Sequence, residues 1–201
     1  MSREIELKIP LFEEEFNFIY DFLCGKVFIK DIRLIDFCEK TFFTKKDEYY
    51  SKYKTETLRR KNGEPPVIRI RTNIAGDTEK SYFTIKHKNI ENGIEINKED
   101  ETFIENAQVL RDFFTLSGYF CWFYKEKKVC SAMCRFEKFP EIKFHLELEI
   151  VNNLKYVEIE VTDTKGSAKS IKSALNEFVK SLNLNPKNKD SRSWVQIILG
   201  K

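Results

Sequence analysis

Glu4-Ile5-Glu6-Leu7-Lys8, read two residues at a time, separates into a charged row and an apolar row. Residues i and i+2 of a β-strand share a face. Glu4, Glu6 and Lys8 therefore lie on one side, and Ile5, Leu7 and Ile9 on the other, until Pro10 ends the run. The pattern returns along the chain as same-sign pairs: Arg69 and Arg71, Lys86 and Lys88, Glu99 and Glu101, Lys125 and Lys127, Glu147 and Glu149, Glu158 and Glu160. Like charges set side by side on a strand repel. Each pair therefore calls for a partner of opposite sign, such as a metal ion or a polyphosphate.

The chain has 201 residues, 41% of them apolar and 33% charged, with 18 phenylalanines. That suits a single domain over residues 1–201 with a substantial core. A net charge of only +3 argues against a large uniform basic surface for nucleic acid. Ser2-Arg3-Glu4 leads straight into the charged strand, so no leader peptide is expected and the location expected is cytoplasmic. The most apolar run, 113–124, is too short to span a bilayer, and no membrane partner is expected. Five cysteines without a C-x-x-C read as reduced thiols. His87 and His145 are isolated in sequence, which gives zinc no ligand spacing.

Helical periodicity marks 12–23, stopped by Gly25; 106–116, with Asn106 as N-cap and Gly118 as stop; and a helix after Ser167 carrying Ile171, Ala174, Leu175, Phe178, Val179 and Leu182. Strands are expected at 67–72, 81–88, 94–104, 122–131, 133–136, 144–151 and 156–162, with Asn152-Asn153 as a hairpin turn. Short apolar pieces at 27–29 and 42–43 read as strand ends. The charged segment 45–66, closed by Gly63-Glu64-Pro65-Pro66, reads as a hairpin insertion.

Alternation alone leaves two architectures open. One is an open antiparallel sheet with a wet, salt-bridged face. The other is an α+β fold whose eight-stranded antiparallel β-barrel turns its charged faces inward, with the helices packed outside. The same-sign pairs favour the barrel. So do the amphipathic helices, which need the apolar faces carrying Ile68 and Ile70, Leu146 and Leu148, and Val157 and Ile159.

Taken in order, these elements resemble the CYTH, or triphosphate tunnel metalloenzyme, superfamily. The opening E-I-E-L-K is similar to its signature, Val67-Ile68-Arg69-Ile70-Arg71 to its arginine strand, and Phe83-Thr84-Ile85-Lys86 to its lysine strand. Glu99-Asp100-Glu101, Lys125-Glu126-Lys127, Glu147-Leu148-Glu149 and Val157-Glu158-Ile159-Glu160 follow in the family's order. The tail Ser191-Arg192-Ser193-Trp194 through Leu199 is similar to the ending of the class IV adenylyl cyclase (CyaB-like) branch. Four places depart from the pattern: Glu149 stands where the family often has Asp, with a short turn after it, and residues 45–66 have no clear counterpart. The other two concern an arginine and an aspartate–tyrosine strand. The family's arginine before the middle glutamate pair falls near Asn97-Lys98, and its aspartate–tyrosine strand is matched only by residues 40–44, which hold neither residue type.

The resemblance implies a tunnel that binds a triphosphate lengthwise with Mg²⁺ or Mn²⁺. It implies Glu4, Glu6, Glu99, Glu101, Glu149, Glu158 and Glu160 as metal carboxylates. Phosphate clamps would be Lys8, Arg69, Arg71, Lys86, Lys125, Lys127 and Arg192, and Lys8, Glu6 and Arg71 would carry the catalysis. Lys88 and Glu147 stay open between site and surface, and Arg135 is expected at the surface. The first expectation for activity is conversion of ATP to cyclic AMP and pyrophosphate. The alternatives are hydrolysis of tripolyphosphate, thiamine triphosphate or a nucleoside or RNA 5′-triphosphate, and polyphosphate binding without turnover. The ligand expected is a triphosphate-containing small molecule, ahead of an RNA 5′ end, and a homodimer stays open.

Overall fold

The computed structural model describes residues 2–37, 42–63, 66–91, 94–162 and 168–200. The strands are β1 (Ser2–Pro10), β2 (Ile32–Phe37), β3 (Phe43–Ser51), β4 (Val67–Ala75), β5 (Thr78–Glu91), β6 (Ile94–Ile104), β7 (Phe120–Phe136), β8 (Phe139–Val151) and β9 (Leu154–Thr162). The helices are α1 (Glu13–Leu23), α2 (Glu56–Lys61), α3 (Ala107–Leu116), α4 (Ala168–Ser181) and α5 (Trp194–Ile198). The strands run in the order β2-β7-β3-β4-β5-β6-β1-β9-β8, and β8 pairs back onto β7. That last pairing closes an eight-stranded antiparallel barrel and leaves β2 as an extra strand on its outside edge.

Closure settles the choice between wet face and lumen. Ile5, Leu7 and Ile9 point outward and are buried under α1 and α4, together with Leu146, Leu148, Val157, Ile159 and Val161. The apolar stripe of α4 runs through Ile171, Leu175, Phe178 and Leu182, at the spacing that puts residues on one helix face. Phe178 stacks on Phe144 at 4.3 Å between ring centres and meets the edge of Phe136 at 5.6 Å. A second, smaller apolar cluster puts Phe114 of α3 over Tyr50 and Ile70, covering the outer face of β3 and β4.

Several sequence expectations hold to the residue. Asn106 caps α3, its side chain accepting from the Gln108 N–H. Gly118 follows α3 at φ +74°, a backbone that residues with a Cβ adopt only at a steric cost. Asn152 and Asn153 both take positive φ, as a two-residue hairpin between twisted strands requires. Arg135 is exposed, as expected. The cap expected at Ser167 lies outside the described residues.

Other expectations change. The stretches 122–131 and 133–136 are one 17-residue strand, β7. Its first half pairs with β3 and its last residues with β2, so the strand has partners along its whole length. Segment 45–66 is not a hairpin insertion. Residues 45–51 belong to β3, hydrogen-bonded between β4 and β7, and α2 follows. The density of charge in 45–49 reads as a solvated arm only when the lumen that receives alternate side chains is unknown. Residues 27–29 form no strand; β2 begins at Ile32.

Phe178→Ala should cost about 3–5 kcal/mol through the cavity it leaves among the rings. For a chain of this size that lowers Tm by roughly 10 °C. Phe28→Ser, at a side chain 83% exposed, should stay within ~0.5 kcal/mol. Paired urea melts check both, and equal effects would contradict the packing described.

Candidate active site in the barrel lumen

Alternate residues of each barrel strand project into the lumen. β1 sends in Glu4, Glu6 and Lys8, β3 Lys45, Asp47 and Tyr49, and β4 Arg69 and Arg71. From β5 come Lys86 and Lys88, and from β6 Glu95, Asn97, Glu99 and Glu101. The remaining groups are Lys125 and Lys127 of β7, His145, Glu147 and Glu149 of β8, and Glu158 and Glu160 of β9. Most of them line a cavity of about 380 Å³.

The charges compensate one another across strands. Asp47, fully buried, accepts from Arg71 Nε at 2.7 Å and Nη2 at 3.0 Å, and lies 3.0 Å from Lys125 Nζ. Burial alone would raise its carboxyl, but Arg71, Lys125 and Arg69 hold it well below the usual range. Lys86 Nζ stands 3.2 Å from Glu4, 3.5 Å from Glu6 and 3.2 Å from Glu99. Arg69 donates to Glu99 at 2.9 Å and to Thr84 Oγ1 at 3.1 Å. Lys127 bridges Glu147, Glu149 and Glu158, and Lys45 pairs with Glu147. Lys8 reaches Glu95 at 2.8 Å, and Lys88 reaches the other oxygen of Glu95 at 2.9 Å. Trp194 Nε1 donates to Glu158 at 2.7 Å, and Lys125 Nζ lies 5.3 Å from the centre of the Trp194 ring.

Of the residues expected to clamp phosphate, Arg69, Arg71, Lys86, Lys125 and Lys127 line the cavity. Lys8 is buried just behind that lining, against Glu95. Arg192 does not join them: its side chain is about half exposed and forks onto Asp190, with Nε at 3.0 Å and Nη2 at 2.7 Å. The expected metal carboxylates fall into groups. Glu4, Glu6 and Glu99 surround Lys86, Glu149 and Glu158 surround Lys127, Glu160 faces His145, and Glu101 sits 40% exposed beside Arg69. Glu147, left open by the sequence, is inside, and Lys88 is at the cavity wall.

Sequence reasoning missed Lys45, Asp47, Tyr49, Glu95, Asn97 and Trp194. The signal for three of them was Lys45-Lys46-Asp47-Glu48-Tyr49, the same alternation as the opening stretch, which also supplies an aspartate and a tyrosine on one strand face. His145 was set aside as isolated in sequence. In space its Nε2 is 3.7 Å from Glu147 and its Nδ1 3.7 Å from Glu160.

The donor set fits a hard divalent cation. Glu147, Glu149 and Glu158 each bring one oxygen within 4.8 Å of the others, and Glu149 Oε2 is buried with no hydrogen-bond partner among the described residues. Carboxylate oxygen ligation is the chemistry of hard divalent cations such as Mg²⁺, Ca²⁺ and Mn²⁺. The β1 glutamates show the same shortage of positive charge. Burial, only partly offset by Lys86, raises Glu4 from 4.5 to about 7 and Glu6 to about 8. In contrast, Lys86 and Arg69 overcome burial at Glu99 and lower it to about 2.

Asp47→Ala should destabilise the fold by roughly 3–5 kcal/mol, because it strands two buried cations; chemical denaturation measures this. The pH dependence follows from the raised groups. Between pH 4.5 and about 8 the fold holds protons on Glu4 and Glu6 that the unfolded chain has released, so stability falls as pH rises through that window. His145, raised from 6.5 mainly by Glu160 and Glu147 against burial, adds in the same direction. The lowered acids Asp47, Glu95, Glu147 and Glu158 lose their contribution only on the acid side. Metal-free protein should therefore melt several degrees lower at pH 8 than at pH 5. Added Mg²⁺ or Mn²⁺ should raise Tm more at pH 8, where the cation replaces protons. A flat or reversed profile would contradict this electrostatic picture.

No family model matches the chain, and no curated protein matches it. Solved structures do. A protein of Pyrococcus horikoshii OT3 superposes with a TM-score of 0.68 at 17% identity, over 98% of both chains. A candidate adenylate cyclase from Vibrio parahaemolyticus gives 0.67 at 13% identity, over 98% of this chain and 97% of that one. A Hippeastrum protein, described as a candidate adenylyl cyclase with a dominant triphosphatase activity, gives 0.60 at 15% identity, over 100% and 97%. At these identities the likeness is one of fold. The chain shares its overall fold with these proteins, and its closed eight-stranded barrel is the architecture that its sequence resemblance to the CYTH, or triphosphate tunnel metalloenzyme, superfamily implies.

Proposed function

We propose that this protein is a metal-dependent enzyme that holds a triphosphate along the lumen and breaks one of its phosphoanhydride links. The observation that carries the reading is the set of rows of Lys and Arg buried inside a closed barrel, facing rows of Glu. A structural barrel core is apolar; burying this many charges costs stability unless they serve a ligand. Arg69, Lys86, Lys125 and Lys127 exchange their carboxylate partners for phosphate oxygens when the substrate enters, while Arg71 keeps its fork onto Asp47 and meets the phosphate with its remaining nitrogen. Arginine suits bidentate contact and lysine point-charge contact.

The carboxylates thereby released are free to hold the cation. Glu149 and Glu158, with Glu147, form one candidate set, and Glu4, Glu6 and Glu160 line the same lumen beside them. When bound, the metal supplies charge neutralisation at the phosphate oxygens. Lys8 supports Glu95 and Glu158 from behind the lining. Arg71, held in place by Asp47, stabilises charge on the departing phosphate, and Glu6 helps to hold the cation. Positioning and electrostatic stabilisation of this kind are enough for phosphoryl transfer without a covalent nucleophile on the protein.

Conversion of ATP to cyclic AMP is the first reading, on the tail's likeness to the CyaB-like branch. Hydrolysis is the second, and the activity described for the Hippeastrum protein favours it. Incubation with Mg²⁺ or Mn²⁺ and, separately, ATP, tripolyphosphate and thiamine triphosphate separates them by product. Cyclic AMP with pyrophosphate establishes the cyclase, and orthophosphate without a cyclic product establishes the hydrolase. Binding without turnover would leave a polyphosphate-binding module. Glu6→Gln and Lys86→Met should each lower kcat by at least about 100-fold, the scale of losing one electrostatic stabiliser, with circular dichroism unchanged. Full activity in both variants would sink the tunnel assignment.

A further inference from the structure

A second cavity, of about 510 Å³, adjoins the lumen at one mouth of the barrel. Tyr49, Val67, Lys86, Lys88 and Trp194 line both cavities, so the two share a wall. Beyond that shared wall the lining changes character. The lumen is walled by ionised rows. The mouth is walled by Trp122, the Arg59 side chain of α2, and the neutral polar residues Ser191, Ser193 and Gln196 at the start of α5.

Trp122 is the centre of this chamber. Its indole packs edge-on to Tyr49 at 6.5 Å between ring centres and lies 5.7 Å from Phe123, which fixes the plane of the ring. The guanidinium of Arg59 lies 4.5 Å from the centre of its face. The indole Nε1–H is buried and has no acceptor among the described residues. A buried donor without a partner costs about 1–3 kcal/mol, and such a cost is commonly retained where a ligand satisfies it.

We propose that this mouth chamber is the subsite for a neutral planar heterocycle carried on the triphosphate, so that the substrate is a nucleotide rather than an inorganic polyphosphate. The inference rests on the lumen binding the phosphates. The heterocycle stacks in the layer formed by Trp122 and Arg59, as bases stack on aromatic and guanidinium planes. Ser193 Oγ and Gln196 Oε1 close the capping box of α5, which leaves the Ser193 hydroxyl proton and the Gln196 amide N–H groups as donors to a base edge, and the sugar spans the shared wall at Lys86. The lining also selects against a cationic ring: among the described residues, Arg59, Lys86 and Lys88 outnumber the carboxylate of Glu56. Thiazolium-bearing thiamine triphosphate should therefore fit less well than ATP.

The test compares the intact protein with its Trp122→Leu variant. With Mg²⁺ present, calorimetry gives dissociation constants for α,β-methylene-ATP and competition gives them for inorganic tripolyphosphate. The wild type should bind the nucleotide at least tenfold more tightly than tripolyphosphate. Trp122→Leu should erase most of that margin and leave tripolyphosphate within threefold. As a readout that needs no variant, 8-azido-ATP should photolabel peptides carrying Trp122 or residues 193–196 of the unmodified protein. If tripolyphosphate binds but the nucleotide gains nothing over it, or the label lands elsewhere, the tunnel reading stands and the mouth subsite is refuted. Thiamine triphosphate binding more tightly than the nucleotide would refute the preference for a neutral ring. If neither phosphate compound binds, the tunnel reading falls and takes this inference with it.

Discussion

Everything in this structure depends on charge compensation across a closed lumen. A strand with two or three like charges on one face cannot be buried alone, because desolvating each ion costs several kcal/mol. Eight such strands can be buried together when acidic and basic rows face one another. Asp47 shows how tight the arrangement is. A single carboxylate from β3 holds Arg71 of β4 and Lys125 of β7, so one residue joins three neighbouring staves. Lys127 does the same between β7, β8 and β9, and Lys86 between β5, β6 and β1.

The outside of the barrel makes this possible. On β1, β8 and β9 the charged row has an apolar row on the opposite face, covered by α1 and α4, and α3 covers the apolar patch outside β3 and β4. Burial of Ile5, Leu7, Ile9, Phe144 and Phe178 supplies the favourable free energy that offsets a lumen of ions. The charged and apolar rows thus occupy opposite faces of these strands. The lumen is held together by its own ion pairs, carboxylates of one strand meeting ammonium and guanidinium groups of its neighbours.

Much of this was legible in the chain. The pattern E-x-E-x-K, with its repeats at 69 and 71, 86, 99 and 101, 125 and 127, 147 and 149, and 158 and 160, located the charged faces of seven of the eight barrel strands. The eighth, β3, was missed although Lys45, Asp47 and Tyr49 alternate in the same way. Their neighbours Lys46 and Glu48 are charged as well, on the outer face, where Glu48 pairs with Arg111 of α3. A strand polar on both faces has no period-2 contrast, so nothing in its pattern separates it from a solvated arm. Arg192 stands apart from the lumen lining for a different reason: Asp190, two residues before it, accepts from its Nε and Nη2.

The sequence by itself determined which side chains share a face, because the period of a strand is a property of the backbone. It likewise determined which helices need an apolar surface and where the hairpin at Asn152-Asn153 turns. Tertiary structure alone decided that the charged faces look inward, since only the pairing of β8 with β7 closes the sheet. It also decided which carboxylate meets which ammonium: Lys8 and Glu95, or Arg69 and Glu99, lie far apart in the chain and become neighbours only through strand register. And it brought Arg59, Trp122 and the start of α5 together at the barrel mouth, a chamber that no local pattern announces because each of its walls comes from a different part of the chain.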